Sequence, residues 1–177
     1  MQDQTVFSRG DYIVDYSRLY VVSEIKYQNN LAGKLKKYLY YQPVFKIDRD
    51  QGVVSGLPEE NVVKAGFRRV LTKDGVKKII ADIKRIKALE VVDYKEYKEL
   101  IFSNDPMVLI PLLKSLWVKK KQTSEKVLGR VDNEIASTIL DHLTEEFAFV
   151  TKRPAKDIRK EIEKELDAAT KQAEVGQ

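Results

Sequence analysis

The sequence predicts an α+β protein in two parts, a small bent antiparallel sheet or partial barrel followed by a compact bundle of about five helices. Three observations carry this. Residues 6–57 alternate and are rich in β-branched and aromatic side chains, the mark of half-buried strands. From Thr72 onward the apolar residues recur at helical spacing instead, so the period changes from 2 to 3.6. Between them runs Leu57-Pro58-Glu59-Glu60-Asn61-Val62-Val63-Lys64-Ala65-Gly66-Phe67-Arg68. Pro58 has no N–H for a sheet ladder and belongs at a strand end or edge. Glu60-Asn61 are turn formers, and Gly66 offers a residue that tolerates positive φ before the chain leaves the sheet. The boundary falls at 68–72, giving a strand-rich part, 1–70, and a helical part, 71–177.

In the first part Val6-Phe7, Tyr12-Ile13-Val14, Leu19-Tyr20-Val21-Val22, Leu35 to Lys46 and Val53-Val54 read as short strands. Asn29-Asn30, Ala32-Gly33 and Asp48-Arg49-Asp50-Gln51-Gly52 supply turn chemistry between them. In the second part Thr72 can cap a helix whose apolar stripe is Val76, Ile79, Ile80, Ile83 and Ile86. Asp93 starts a short helix carrying Tyr94, Tyr97, Leu100 and Ile101. Asp105-Pro106 is a cap followed by proline at the first helical position, with Leu109, Leu112, Leu113 and Leu116 facing inward. Pro111 lies early in that helix, where a missing donor costs least and a bend is allowed. Asp132 begins a helix with Ile135, Ile139, Leu143 and Phe147 on one side. Thr151 or Arg153 opens the last, with Ile158, Ile162 and Leu166 inside, and the end frays from Ala173.

The 43% hydrophobic content suits packed cores, and no run nears the roughly 20 apolar residues that span a bilayer. The start, Met1-Gln2-Asp3-Gln4, lacks a signal-peptide pattern, and the absence of cysteine excludes disulfides and thiolate chemistry. A cytoplasmic, monomeric protein that meets no membrane is expected. The net charge of +5 is unevenly spread: residues 1–60 balance at 0, residues 61–130 carry +9 and residues 131–177 carry −4. A basic middle either meets an anionic partner or is a solvated lysine face.

Enzyme chemistry has little to stand on, and no cofactor or metal is expected. The lone His142 flanks the Ile139–Leu143 face, as a packed or capping histidine does. Glu145 and Glu146 are adjacent, so on a helix they diverge rather than form a carboxylate pair. Single glycines make no phosphate-cradling loop.

Phe7-Ser8-Arg9-Gly10-Asp11, Tyr38-Leu39 and the Pro58 to Arg68 run together resemble the CarD family of bacterial RNA-polymerase-binding transcription regulators. Pro58, Glu60, Asn61, Gly66 and Arg68 stand in register with that family's Pro-x-Glu-Asn, four residues, Gly-x-Arg. Lys114-Ser115-Leu116-Trp117-Val118-Lys119 resembles its Arg-Asp-Leu-Trp-Arg-Arg, and Glu146-Phe147-Ala148 its Glu-Leu-Ala. By spacing alone, Trp117 reads as a core aromatic behind Leu113 and Ile110. The resemblance implies a Tudor-like β-barrel of the kind shared with transcription-repair coupling factors. It implies docking on the polymerase β subunit through an edge strand, with Gly56 and Pro58 on the contact strand and Tyr41 beside them. The helical part would sit by upstream promoter DNA, with Lys95, Lys98, Lys119, Lys120 and Lys121 as its phosphate contacts.

The match also has gaps. Glu90 stands where the family has the tryptophan that wedges into the minor groove, and Val92 and Asp93 stand at its arginines. Asn133, Glu134 and Thr138 replace a second basic cluster, and Asp15-Tyr16-Ser17-Arg18-Leu19 replaces Tyr-Pro-x-His-Gly. Contact with promoter DNA is therefore expected to be weak and non-specific. Two other readings stay open: a general nucleic-acid-binding protein using the 61–130 segment, and a protein–protein adaptor that has lost DNA binding.

Overall fold

The computed structural model describes residues 7–15, 18–30, 32–45, 54–62, 64–89, 99–101, 104–123 and 128–175. The chain divides into two compact units, Met1–Val70 and Leu71–Gln177.

The first unit is a five-stranded sheet of order β4-β3-β2-β1-β5, in which every neighbouring pair is antiparallel. Its strands are β1 (Tyr12–Asp15), β2 (Arg18–Asn29), β3 (Leu35–Pro43), β4 (Ser55–Pro58) and β5 (Arg68–Arg69). A single helical turn, α1 (Glu59–Val62), follows β4. The β2–β3 turn is built by Asn30, whose Oδ1 accepts from the Ala32 and Lys34 N–H groups at 3.0 and 2.9 Å. Gly33 completes it at φ 76°, a value that costs a residue without Cβ nothing. Alternation then turns one face inward: Ile13, Val22, Leu39 and Tyr41 join Phe7, Val62 and Phe67 in a buried core. A bulge between Val22 and Glu24 shifts the register of β2 against β3.

Three expectations change here. The strand before the turn is Ser55–Pro58, with Val54 outside it and Val53 beyond the described residues; Phe7 is a buried core residue outside any strand, and Val6 lies beyond the described residues. After Gly66 the sheet gains a strand that the sequence reading did not contain. Gly66, at φ 78°, lies in the turn after α1, and β5 then pairs Arg68 with Val14 and Arg69 with Ile13. Among the described residues β4 and β5 are the two ends of the sheet, which is not closed.

The second unit packs α2 (Lys73–Asp82), α3 (Pro106–Gln122), α4 (Arg130–Thr151) and α5 (Ala155–Val175) around one apolar core. Thr72 caps α2 by accepting from the Gly75 N–H at 3.0 Å, and Asp105 caps α3 by accepting from the Met107 N–H at 2.8 Å. Val76, Ile80, Ile83, Leu109, Leu112, Leu113, Leu116, Ile135, Ile139, Leu143, Phe147, Ile158, Ile162 and Leu166 are all buried. Each such side chain contributes about 1.5–3 kcal/mol by leaving water. No helix among the described residues is long and apolar enough to cross a membrane.

Two helix boundaries differ from the sequence reading. α4 starts at Arg130 rather than Asp132, which lies within its first turn, where a carboxylate suits the helix dipole. α5 starts at Ala155, because α4 runs on to Thr151 and turns at Lys152 with φ 56°. It continues to Val175, past the predicted fraying point. The short helix read from Asp93 falls outside the described residues through position 98; Leu100 and Ile101 pack against the core.

Candidate functional site

In the sheet unit, the residues of interest converge on β4. Gly56 pairs with Tyr40, Pro58 with Tyr38, and Ser55 with Tyr41. Strand alternation therefore puts Gly56, Pro58, Tyr38 and Tyr40 on one face and Tyr41 on the other. Tyr41 is only 8% exposed. Its hydroxyl donates to Asp15 Oδ2 at 3.2 Å, and its ring meets Tyr20 and Phe67 edge-on, with centroids 5.2 and 5.0 Å apart. Burial first, and then the Asp15 carboxylate, push the Tyr41 phenol well above its ordinary value. Tyr41 is thus a core residue, withdrawn from the surface that holds Gly56 and Pro58.

Tyr40 takes the place expected for Tyr41. A Cβ on Gly56 would stand 2.7 Å from Tyr40 Cε1, so the ring lies against the bare Gly56 backbone. The Tyr40 hydroxyl donates to Gln28 Oε1 at 3.0 Å, and the Lys26 ammonium lies 5.5 Å from the ring centroid. Lys26 also pairs with Glu24 at 2.7 Å. At the far end of β3, Lys37 pairs with Glu59 at 2.5 Å and Lys36 with Glu60, which ties α1 to the sheet. The Lys36 ammonium holds the Glu60 carboxyl below the usual carboxylate range. The motif residues thus have separate backbone tasks: Pro58 ends β4, Glu60 and Asn61 lie in α1, Gly66 turns the chain and Arg68 enters β5.

In the helical unit the lysine run closes α3, where cations complement the helix dipole. Lys119 Nζ lies 2.5 Å from Asp132 Oδ2, and Lys121 Nζ lies 2.9 Å from Asp167 Oδ1. Lys120 Nζ stands 5.2 Å from the Trp117 ring centroid. The Trp117 indole N–H donates to Asp167 Oδ1 at 3.0 Å while the ring packs on the apolar core, as its spacing predicts. Lys95 and Lys98, with Glu90, Val92, Asp93 and Tyr94, lie outside the described residues.

Sequence reasoning missed what Lys114 and Ser115 do. Lys114 is buried, and its ammonium donates to the carbonyls of Ile83, Lys84 and Ile86 at 3.4, 3.1 and 2.5 Å. These carbonyls follow the end of α2, where a helix leaves acceptors unmet. Burial pulls the Lys114 ammonium below its ordinary value. One residue on, the Ser115 hydroxyl donates to Leu89 O, while the Leu89 N–H donates to Pro111 O at 3.2 Å. Together they fasten the chain after α2 along α3 as far as Leu89. The only sequence signal was a lysine at an inward-facing helix position.

Compared with protein-family models and with curated proteins, the chain matches none.

Proposed function

We propose that this chain is a cytoplasmic transcription regulator that binds the bacterial RNA polymerase β subunit through residues 1–70, as a CarD-like protein would. In this reading the five-stranded sheet is the framework of a Tudor-like module, and β4 is the strand that docks. The observation that carries it is the position of β4. It lies at one end of the sheet among the described residues, with Gly56 and Pro58 on one face. An end strand can add a partner strand by main-chain hydrogen bonds, and the side chains beside it then give selectivity. Tyr38 and Tyr40, not Tyr41, are the aromatics available for that second task.

The helical unit adds weak, non-specific contact with promoter DNA. Two of its three run lysines are already paired with carboxylates. With Glu90 where an aromatic wedge would be needed, the regulator binds polymerase yet stabilises promoter bubbles poorly.

The test is capture of the isolated β subunit. Residues 1–70 should capture it as well as the full chain does, and Gly56→Glu should abolish capture while the far-ultraviolet circular dichroism is kept. No capture by either form refutes polymerase binding, and equal capture by the Glu variant removes Gly56 from the contact.

A further inference from the structure

The acidic C-terminal quarter of the chain meets the basic middle at the end of α3. Asp132 comes from the first turn of α4 and Asp167 from α5, and each meets one lysine of the run. Asp167 Oδ1 accepts twice, from the Lys121 ammonium and from the Trp117 indole N–H, so packing of Trp117 holds it in place. The Asp132 side chain is only 16% exposed, which strengthens its hold on Lys119. The charges of +9 over residues 61–130 and −4 over 131–177 are therefore opposed in space at this point, not merely in sequence.

We infer that Asp132 and Asp167 are built-in competitors that occupy two phosphate-binding lysines, Lys119 and Lys121, and hold the helical unit in a low-affinity state for nucleic acid. The occupant of the site when the acids let go is the phosphate backbone of duplex DNA. Once released, the two flexible lysine side chains at the end of α3 can reach backbone phosphates, and lysine contacts of this kind carry no base information. Ion pairs at such partly exposed places are weak, typically about 0.2–1 kcal/mol each, so removing the two carboxylates releases the lysines at little cost to the fold. The inference rests on the reading that the helical unit meets DNA, but it needs no polymerase, so the two can fail separately.

The test uses the full chain and a labelled duplex of arbitrary sequence, with no polymerase present. Asp132→Asn/Asp167→Asn removes both charges but keeps an oxygen acceptor for Trp117 and Lys119. At about 50 mM salt the double variant should bind about tenfold more tightly than wild type. The slope of log K against log [salt] should steepen by about 1.8, or about 0.9 for each phosphate newly contacted. Adding Lys119→Gln/Lys121→Gln to it should restore the wild-type slope. In wild type, where the lysines are already occupied, Lys119→Gln/Lys121→Gln should leave the slope unchanged; this arm stands even if the Asn variant does not fold. An unchanged slope in the Asn variant, a steep slope that survives loss of the lysines, a wild-type slope that falls on lysine removal, or no DNA binding by any form would each overturn the inference.

Discussion

Glu146, buried in α4, accepts the backbone N–H of Leu71 through Oε1 at 2.9 Å. Leu71 is the first residue of the helical unit, and the next residue, Thr72, caps α2. A carboxylate seventy-five positions away in sequence therefore anchors the start of the second unit. Glu146 thus serves the backbone.

Glu146→Ala should lower the stability of the helical unit by about 1–3 kcal/mol, because a partly buried N–H then loses its acceptor. Glu146→Gln keeps an oxygen in reach and should recover at least half of that. Urea midpoints of the three proteins check it, and equal losses for Ala and Gln would mean that the charge rather than the hydrogen bond matters.

Lys114→Met keeps the length and apolar stem but strips the donor from the Ile83, Lys84 and Ile86 carbonyls. A loss of about 1–3 kcal/mol is expected, with faster amide exchange at Leu89 and in the residues just before it. Exchange that stays at the wild-type rate there would show that Ser115 and Pro111 hold this segment without Lys114.

Tyr41 sets an alkaline limit on the sheet unit. Its phenol is raised in the folded protein above the value of about 10 that it has when unfolded. Below that pH it is protonated in both states, and its contribution to stability is whole. Above it the unfolded chain releases the proton first, so stability falls as pH rises, by up to about 1.4 kcal/mol per pH unit for this one group. Tyr41→Phe should flatten the dependence of the urea midpoint on pH above about 10. The Phe variant also leaves Asp15 without one of its hydrogen bonds, so it should be less stable than wild type at neutral pH.

Gly56 and Tyr40 should behave as one unit. A methyl group at position 56 would push the Tyr40 ring from its seat and strain its bond to Gln28. Gly56→Ala should cost about 1 kcal/mol, Tyr40→Ala a similar amount, and the double variant clearly less than their sum. Additive losses would mean that the ring moves aside freely.

What the sequence by itself determined is whatever depends on neighbours along the chain. The Thr72 and Asp105 caps, the Asn30–Gly33 turn and the positive φ at Gly66 rest on contacts within a few residues, and the inward faces of α2 to α5 are spelled by helical spacing along the chain. Such contacts leave their mark as spacing and residue type. What only the tertiary structure decided depends on partners brought from afar. β5 exists because two arginines find β1 across the sheet, and no pattern of two residues can announce a strand. The bulge in β2 and the pairing of β3 with β4 decide that Tyr40 faces out with Gly56 while Tyr41 enters the core; in a strand, one residue of offset reverses the face. Lys114 reads as a surface cation until carbonyls about thirty residues away surround its ammonium. The lysine run, by composition a bare basic patch, meets Asp132 and Asp167 only once α4 and α5 fold against α3, since opposite charges attract through space and not along the sequence.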